Sequence, residues 1–142
     1  MCKAVFDTNV VISGMLWRGT PYTLLKAAAA GRVSLFTSIP LLEELEVTLS
    51  KPRLKKALSI DGYRPAEIRA MYEEFVKVVV PNKVAKVIVA DDPTDDAVVT
   101  TALAADARYI VSGNGHLLEL KHSFDLRIVT PARFLDIYRS AS

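Results

Sequence analysis

The chain holds one cysteine, Cys2, and two histidines, His116 and His122. A lone thiol excludes an intramolecular disulfide framework and cannot build a zinc cluster. The two histidines stand at a spacing that fits no metal motif, amid polar residues, and read as ordinary surface side chains. No Ser-His-Asp order with a supporting motif appears, and neither a glycine-rich phosphate loop nor GxxxxGK[ST] is present. Apolar runs are short and broken by charge, so none is long enough to span a membrane. Met1 leads almost at once into a strand-like stretch, without the basic region and apolar core of a secretory signal. These absences predict a protein of the reducing cytoplasm. The net charge is only +2, which implies no strong nonspecific attraction to nucleic acid.

What is present suffices for one core. The chain has 142 residues, 51% of them apolar, and residues 1–142 are expected to form a single domain. There is no repeat, low-complexity tract or linker. Short apolar runs at Lys3–Phe6, Val33–Thr37, Tyr109–Ser112 and Arg127–Thr130 read as strands. Val78–Val80 and Val87–Val89 are β-branched, and at least one of them is expected to pair in the sheet. Helices are predicted from Asp7 or Thr8 to about Met15, from Thr20-Pro21 to about Ala30, and from Ser38-Ile39-Pro40 to about Ser50. A shorter helix follows Pro52. Further helices cover Arg64–Val76, Thr94–Ala105 and Pro131–Tyr138, and a turn with a short helix covers Gly113–Leu120. Thr20 and Ser38 are placed as caps beside prolines, and Gly31 as a helix terminator. Short apolar strands alternating with helices predict an α/β fold, a three-layer α/β/α sandwich with a central parallel sheet.

In such sheets ligands bind outside the carboxyl ends of the strands. Asp7 stands at the end of the first strand, interrupting Val5-Phe6-Asp7-Thr8-Asn9-Val10-Val11. It is either a helix cap, a task Thr8 performs without a charge, or a metal ligand. Ser112 ends a later strand and Asn114 lies just beyond it. In Leu41-Leu42-Glu43-Glu44-Leu45-Glu46-Val47-Thr48-Leu49 the leucines form one stripe. Glu43 points away from that stripe; Glu44 and Glu46 flank it on opposite sides, and periodicity does not choose between them. Asp91-Asp92-Pro93-Thr94-Asp95-Asp96 places four carboxylates in six residues. A helix dipole favours one or two of them, each by roughly 0.3–1 kcal/mol. Four repel one another, and a divalent cation held by hard oxygen ligands would relieve that repulsion. Lys51-Pro52-Arg53-Leu54-Lys55-Lys56 places four cations in six residues, either as a solvated helix surface or as a phosphate contact. Trp17 and Arg18 fall in a loop, for packing or for contact with a base or a partner.

At these positions the sequence resembles the PIN-domain ribonucleases. Phe6-Asp7-Thr8-Asn9-Val10 resembles their opening motif. Asp96-Ala97-Val98-Val99-Thr100-Thr101-Ala102-Leu103-Ala104 is similar to their acidic helix, and Tyr109-Ile110-Val111-Ser112-Gly113-Asn114 to the strand and polar pair after it. Leu41-Leu42-Glu43-Glu44-Leu45 fits the helix that carries the family glutamate; aligned through Lys51-Pro52, it selects Glu44. Arg127-Ile128-Val129-Thr130-Pro131-Ala132-Arg133-Phe134-Leu135 resembles the ending of a subgroup of VapC-type toxins from toxin–antitoxin pairs.

The resemblance implies RNA cleavage that depends on Mg2+ or Mn2+. It implies metal-site positions at Asp7, Glu44, Asp96 and Asn114, with Ser112 as the hydroxyl beside them. Many members carry aspartate where Asn114 stands. An amide accepts a bond from a metal or its water but brings no charge, so whether one ion or two binds stays open; Asp92 or Asp95 are the alternative sources of that charge. The implied partners are RNA, an antitoxin protein whose tail enters the acidic groove, and a second copy of the chain in a homodimer. The apolar Met15-Leu16-Trp17 would serve either that dimer or the core. Other readings are a binding module without activity, a housekeeping RNA-processing nuclease, and a phosphatase using Asp7 as nucleophile. The last wants a second aspartate two residues on, where Asn9 stands.

Overall fold

β1 (Cys2–Phe6), β2 (Val33–Thr37), β3 (Lys77–Val78), β4 (Tyr109–Val111) and β5 (Arg127–Val129) pair in the order β3-β2-β1-β4-β5, every pair parallel. The structure is a computed structural model that describes residues 2–81, 93–114 and 126–141, with residues 93–96 and 141 as backbone only. Val87–Val89, Asp91, Asp92, the segment after Asn114 through Leu120, His116 and His122 lie outside the described residues.

Side chains alternate across the sheet with a period of two, as pleated strands require. Ala4 and Phe6 of β1, Leu35 of β2 and Tyr109 and Val111 of β4 join one apolar cluster. Val5, Phe36 and Ile110 join the other. The first face is covered by α1 (Thr8–Leu16), α2 (Thr20–Ala29), α3 (Ile39–Leu49), α5 (Pro65–Glu73) and α7 (Pro131–Ala141), all of which contribute to that cluster. The second face is covered by α6 (Pro93–Ala104), through Val98, Val99 and Ala102. The result is the three-layer α/β/α arrangement that the strand–helix alternation predicts. α3 stands at the margin of both layers: Leu41 packs with α6, while Leu42, Leu45 and Leu49 join the cluster formed with α1 and α5.

Two contacts fix the first layer. Phe134 of α7 is fully buried, with its ring edge-on to Phe6 and Tyr109 at centroid distances of 6.0 and 5.4 Å. Gly14 of α1 sits so close to α2 that a Cβ there would meet Leu25 Cγ at 2.9 Å and the Pro21 carbonyl oxygen at 3.0 Å. Only a hydrogen fits at this helix crossing.

Local signals held at most ends and failed at a few. Gly31, at φ 78°, ends α2: the Gly31 and Arg32 N–H groups donate back to the carbonyls of Ala28 and Ala27, a left-handed C-terminal turn. The cap of α2 is Gly19 and not Thr20, which already lies inside the helix. α5 stops at Glu73, short of Val76, because its last bonds tighten to Glu74 N–H on Met71 O and Phe75 N–H on Tyr72 O before the chain turns into β3. The Val78–Val80 strand is Lys77–Val78, an exposed edge extended by one further bond from Val79 N–H to Thr37 O. α4 (Pro52–Ile60) carries the basic run and buries only Leu58, so its cations lie on a solvated surface.

Candidate metal centre and its surroundings

The chain runs β1 to β2 to β3 in one direction, then resumes at β4 on the other side of β1. The carboxyl ends of β1 and β4 therefore flank the point where strand order reverses, the usual ligand crevice of open parallel sheets. Asp7 follows β1 there and Ser112 follows β4.

Asp7 is 5% exposed. A buried carboxylate is costly unless its oxygens are hydrogen-bonded. The Thr8 N–H donates to Oδ1 at 2.8 Å, making Asp7 the cap of α1, and the Ser112 hydroxyl donates to Oδ2 at 2.9 Å. The backbone is tied as well: Asp7 N–H donates to Val111 O and Ser112 N–H to Val129 O, each at 2.9 Å. Ser112 Oγ also accepts the Asn114 N–H at 2.9 Å. Three of the expected residues, Asp7, Ser112 and Asn114, thus belong to one chain of hydrogen bonds. The cap reading of Asp7 holds, and it does not exhaust the carboxylate, since the second oxygen is held from another strand.

The glutamates of α3 separate. Glu43 is exposed. Glu46 Oε1 meets Arg69 Nη1 of α5 at 3.3 Å. Glu44 is half-buried and lies on the other flank of the leucine stripe, the side of Leu41 and α6. Asp96 lies in the first turn of α6; its side chain, like that of Asp95, is outside the described residues. Among the described residues no three histidine, cysteine or acidic side chains form a metal cage.

Among the described residues the buried polar side chains, apart from tyrosine, are Asp7, Thr8, Thr37, Ser38, Thr101 and Ser112. All carry oxygen and neither nitrogen nor sulfur. Five of them follow or end β1, β2 and β4, and the sixth, Thr101, reaches Ser38 from α6. Oxygen-bearing side chains of this kind suit a hard divalent cation. Sequence reasoning missed the Ser38–Thr101 pair. Ser38 was expected to cap α3, but its hydroxyl makes no cap bond and lies 2.7 Å from Thr101 Oγ1. Thr101 itself donates to Ala97 O at 2.6 Å, so Ser38 is the donor between the two. The available signal was a threonine on the apolar face of an otherwise aliphatic helix.

A family model described as a PIN domain matches residues 3–116. The chain belongs to the PIN-domain family, whose members are in general nucleases. Among solved structures it is similar to one described as the crystal structure of VapBC2 from Rickettsia felis bound to a DNA fragment from their promoter. The TM-score is 0.62 at 12% identity, over 89% of this chain and 96% of that one; at that identity the likeness carries the fold. No curated protein sequence matches. Among the described residues no helix is long and apolar enough to cross a membrane.

Proposed function

We propose that the chain is a divalent-metal-dependent endoribonuclease, the toxin of a toxin–antitoxin pair. The observation that carries this reading is the Asp7 carboxylate, buried at the strand-order reversal with one oxygen held by α1 and the other by the Ser112 hydroxyl. A carboxylate so fixed holds its place without reorganising when charge arrives, which electrostatic catalysis requires. Family membership supplies the nuclease class, and the VapBC2 likeness supports an antitoxin partner.

Asp7, Glu44, Asp96 and Asn114 would hold Mg2+ or Mn2+, which when bound supplies positive charge against the scissile phosphate. Ser112 keeps Asp7 in one orientation by donating to Oδ2, and its bond from Asn114 N–H sets where that residue leaves the strand. Glu44, half-buried on the α6 side of α3, orients an attacking water and takes its proton. Asn114 contributes an amide oxygen without charge. The substrate is RNA in single-stranded form, and the working assembly is a homodimer in the cytoplasm; exposed Trp17, beside Met15 and Leu16, offers apolar surface for it.

Asp7→Asn keeps the shape and the acceptor facing Thr8 and removes the charge. We expect it to lower Mn2+-dependent cleavage of single-stranded RNA by more than about a hundredfold, since even outer partners of a metal site cost 10–100-fold. Circular dichroism should stay unchanged, and the heat of Mn2+ binding should fall in calorimetry. Undiminished cleavage by Asp7→Asn removes the mechanism. A parent protein that takes up no Mn2+ at millimolar concentration is a binding module instead.

A further inference from the structure

From Thr8 to Leu42 the sequence has no aspartate or glutamate, while Arg18, Lys26 and Arg32 fall within that stretch. The fold gathers these cations around α2. Arg18 stacks on the Tyr22 ring with its guanidinium carbon 4.8 Å from the centroid, and its Nη1 donates to the Tyr22 hydroxyl at 3.0 Å. Lys26 Nζ lies 5.6 Å from the same ring. A cavity of about 350 Å3 opens beside this row, lined by Tyr22, Lys26, Arg32 and Tyr138 of α7, with Ala27 and Ala30 leaving the space between them. Among the described residues, Arg18, Lys26 and Arg32 join no ion pair. Among the described residues no acid lines the cavity, not even Asp136 of α7. Arg32 directly precedes β2, so this surface lies at the amino end of that strand, away from the carboxyl edge that carries Asp7.

We propose that the α2 face is a second contact surface for single-stranded RNA, with Lys26 and Arg32 on phosphates, Tyr138 against a base, and Arg18 held beside them by its stacking on Tyr22. This deepens the ribonuclease reading and rests on it. Cations interleaved with aromatic rings are what a single strand engages, because every base has a stacking face and every nucleotide a charge. An acidic peptide would match the cations and leave the Tyr138 ring unused. The basic run of α4 has charge alone: its cations are exposed, and Lys51, Arg53, Lys55 and Lys56 line neither this cavity nor an aromatic platform.

The test is fluorescence anisotropy with a 20-residue oligouridylate in EDTA, where cleavage plays no part. Each single-strand phosphate contact contributes a log–log salt slope of about 0.7, or about fivefold in affinity at 0.1 M salt. Lys26→Ala/Arg32→Ala should therefore weaken binding about 25-fold and lower the slope by about 1.4. Lys55→Ala/Lys56→Ala, which removes the same net charge from α4, should change affinity less than about threefold. If the first double variant does not fold, Lys26→Ala and Arg32→Ala singly should each cost about fivefold. Equal losses in the α2 and α4 variants, or no loss in the α2 variant, overturn the proposal. So does tighter binding of polyglutamate than of oligouridylate, which would mark the face as a protein contact. Failure here leaves the Asp7→Asn result standing, and a protein that binds as described without cleaving RNA retains the surface and loses the nuclease.

Discussion

Two regions of the molecule treat a buried hydroxyl in opposite ways. At the carboxyl edge of the sheet Ser38, Thr101 and Ser112 are fully enclosed, and each hydroxyl has a named partner. In the helical layer on the first face Tyr72 of α5 is as deeply enclosed, yet among the described residues its hydroxyl has none. Its ring packs edge-on to Phe75 at 5.6 Å, so the residue is kept for its aromatic area and the oxygen is carried along. Polarity at the edge is organised, whereas in the layer it is incidental. Removing an oxygen should therefore be harmful in the first region and harmless in the second.

The largest effect belongs to Ser112→Ala. It deletes the donor to Asp7 and the acceptor of Asn114 N–H together, and kcat/KM for RNA cleavage should fall about 10–100-fold, on top of the loss of about 1–3 kcal/mol in stability that stranding buried partners costs. A loss confined to stability would make Ser112 structural.

Next comes Thr101→Val, which keeps the shape and strands the Ser38 hydroxyl without an acceptor. Urea unfolding should show a loss of about 1–3 kcal/mol. Adding Ser38→Ala should recover part of that loss, because removing both partners of a buried bond is cheaper than removing one. A double variant less stable than the sum of the singles would mean that the pair is not the unit described.

The smallest effect sharpens the contrast from the other side. Tyr72→Phe should leave stability at neutral pH unchanged or raise it by about 1 kcal/mol, since it removes a buried hydroxyl that has no partner among the described residues. Burial pushes the Tyr72 hydroxyl well above the ordinary tyrosine range. An unfolded chain releases that proton near pH 10 and the folded chain does not. Tyr72 thus favours unfolding as pH rises above about 10 and has no such effect below it. Melting curves between about pH 10 and 11.5 should decline less steeply for the phenylalanine variant.

Much of this architecture was readable in the residues because the signals were strong and local. Short β-branched and aliphatic runs make strands, and their alternation with helices makes a parallel sheet. An acid in the run before Val10 was conspicuous because nothing local required a charge there. Readability ended where partners are distant in sequence. The helical wheel left Glu44 and Glu46 equivalent; Arg69, more than twenty residues on, engages Glu46. Ser38 has the local form of a cap, and only the approach of α6 shows its hydroxyl directed elsewhere. α5 reads as helical through Val76, but the chain must leave it early to reach the sheet edge.

The hydrogen at Gly14 has a bearing on all of this. α1 is capped by Asp7 and is nine residues long, about 13.5 Å, so the point where it touches α2 without clearance lies within two turns of the carboxylate. The two helices are keyed together like a tongue in its slot. A methyl at position 14 would wedge them apart and tilt the very element whose first turn aims the acid, so a residue with no functional group of its own helps set the alignment of the carboxyl edge.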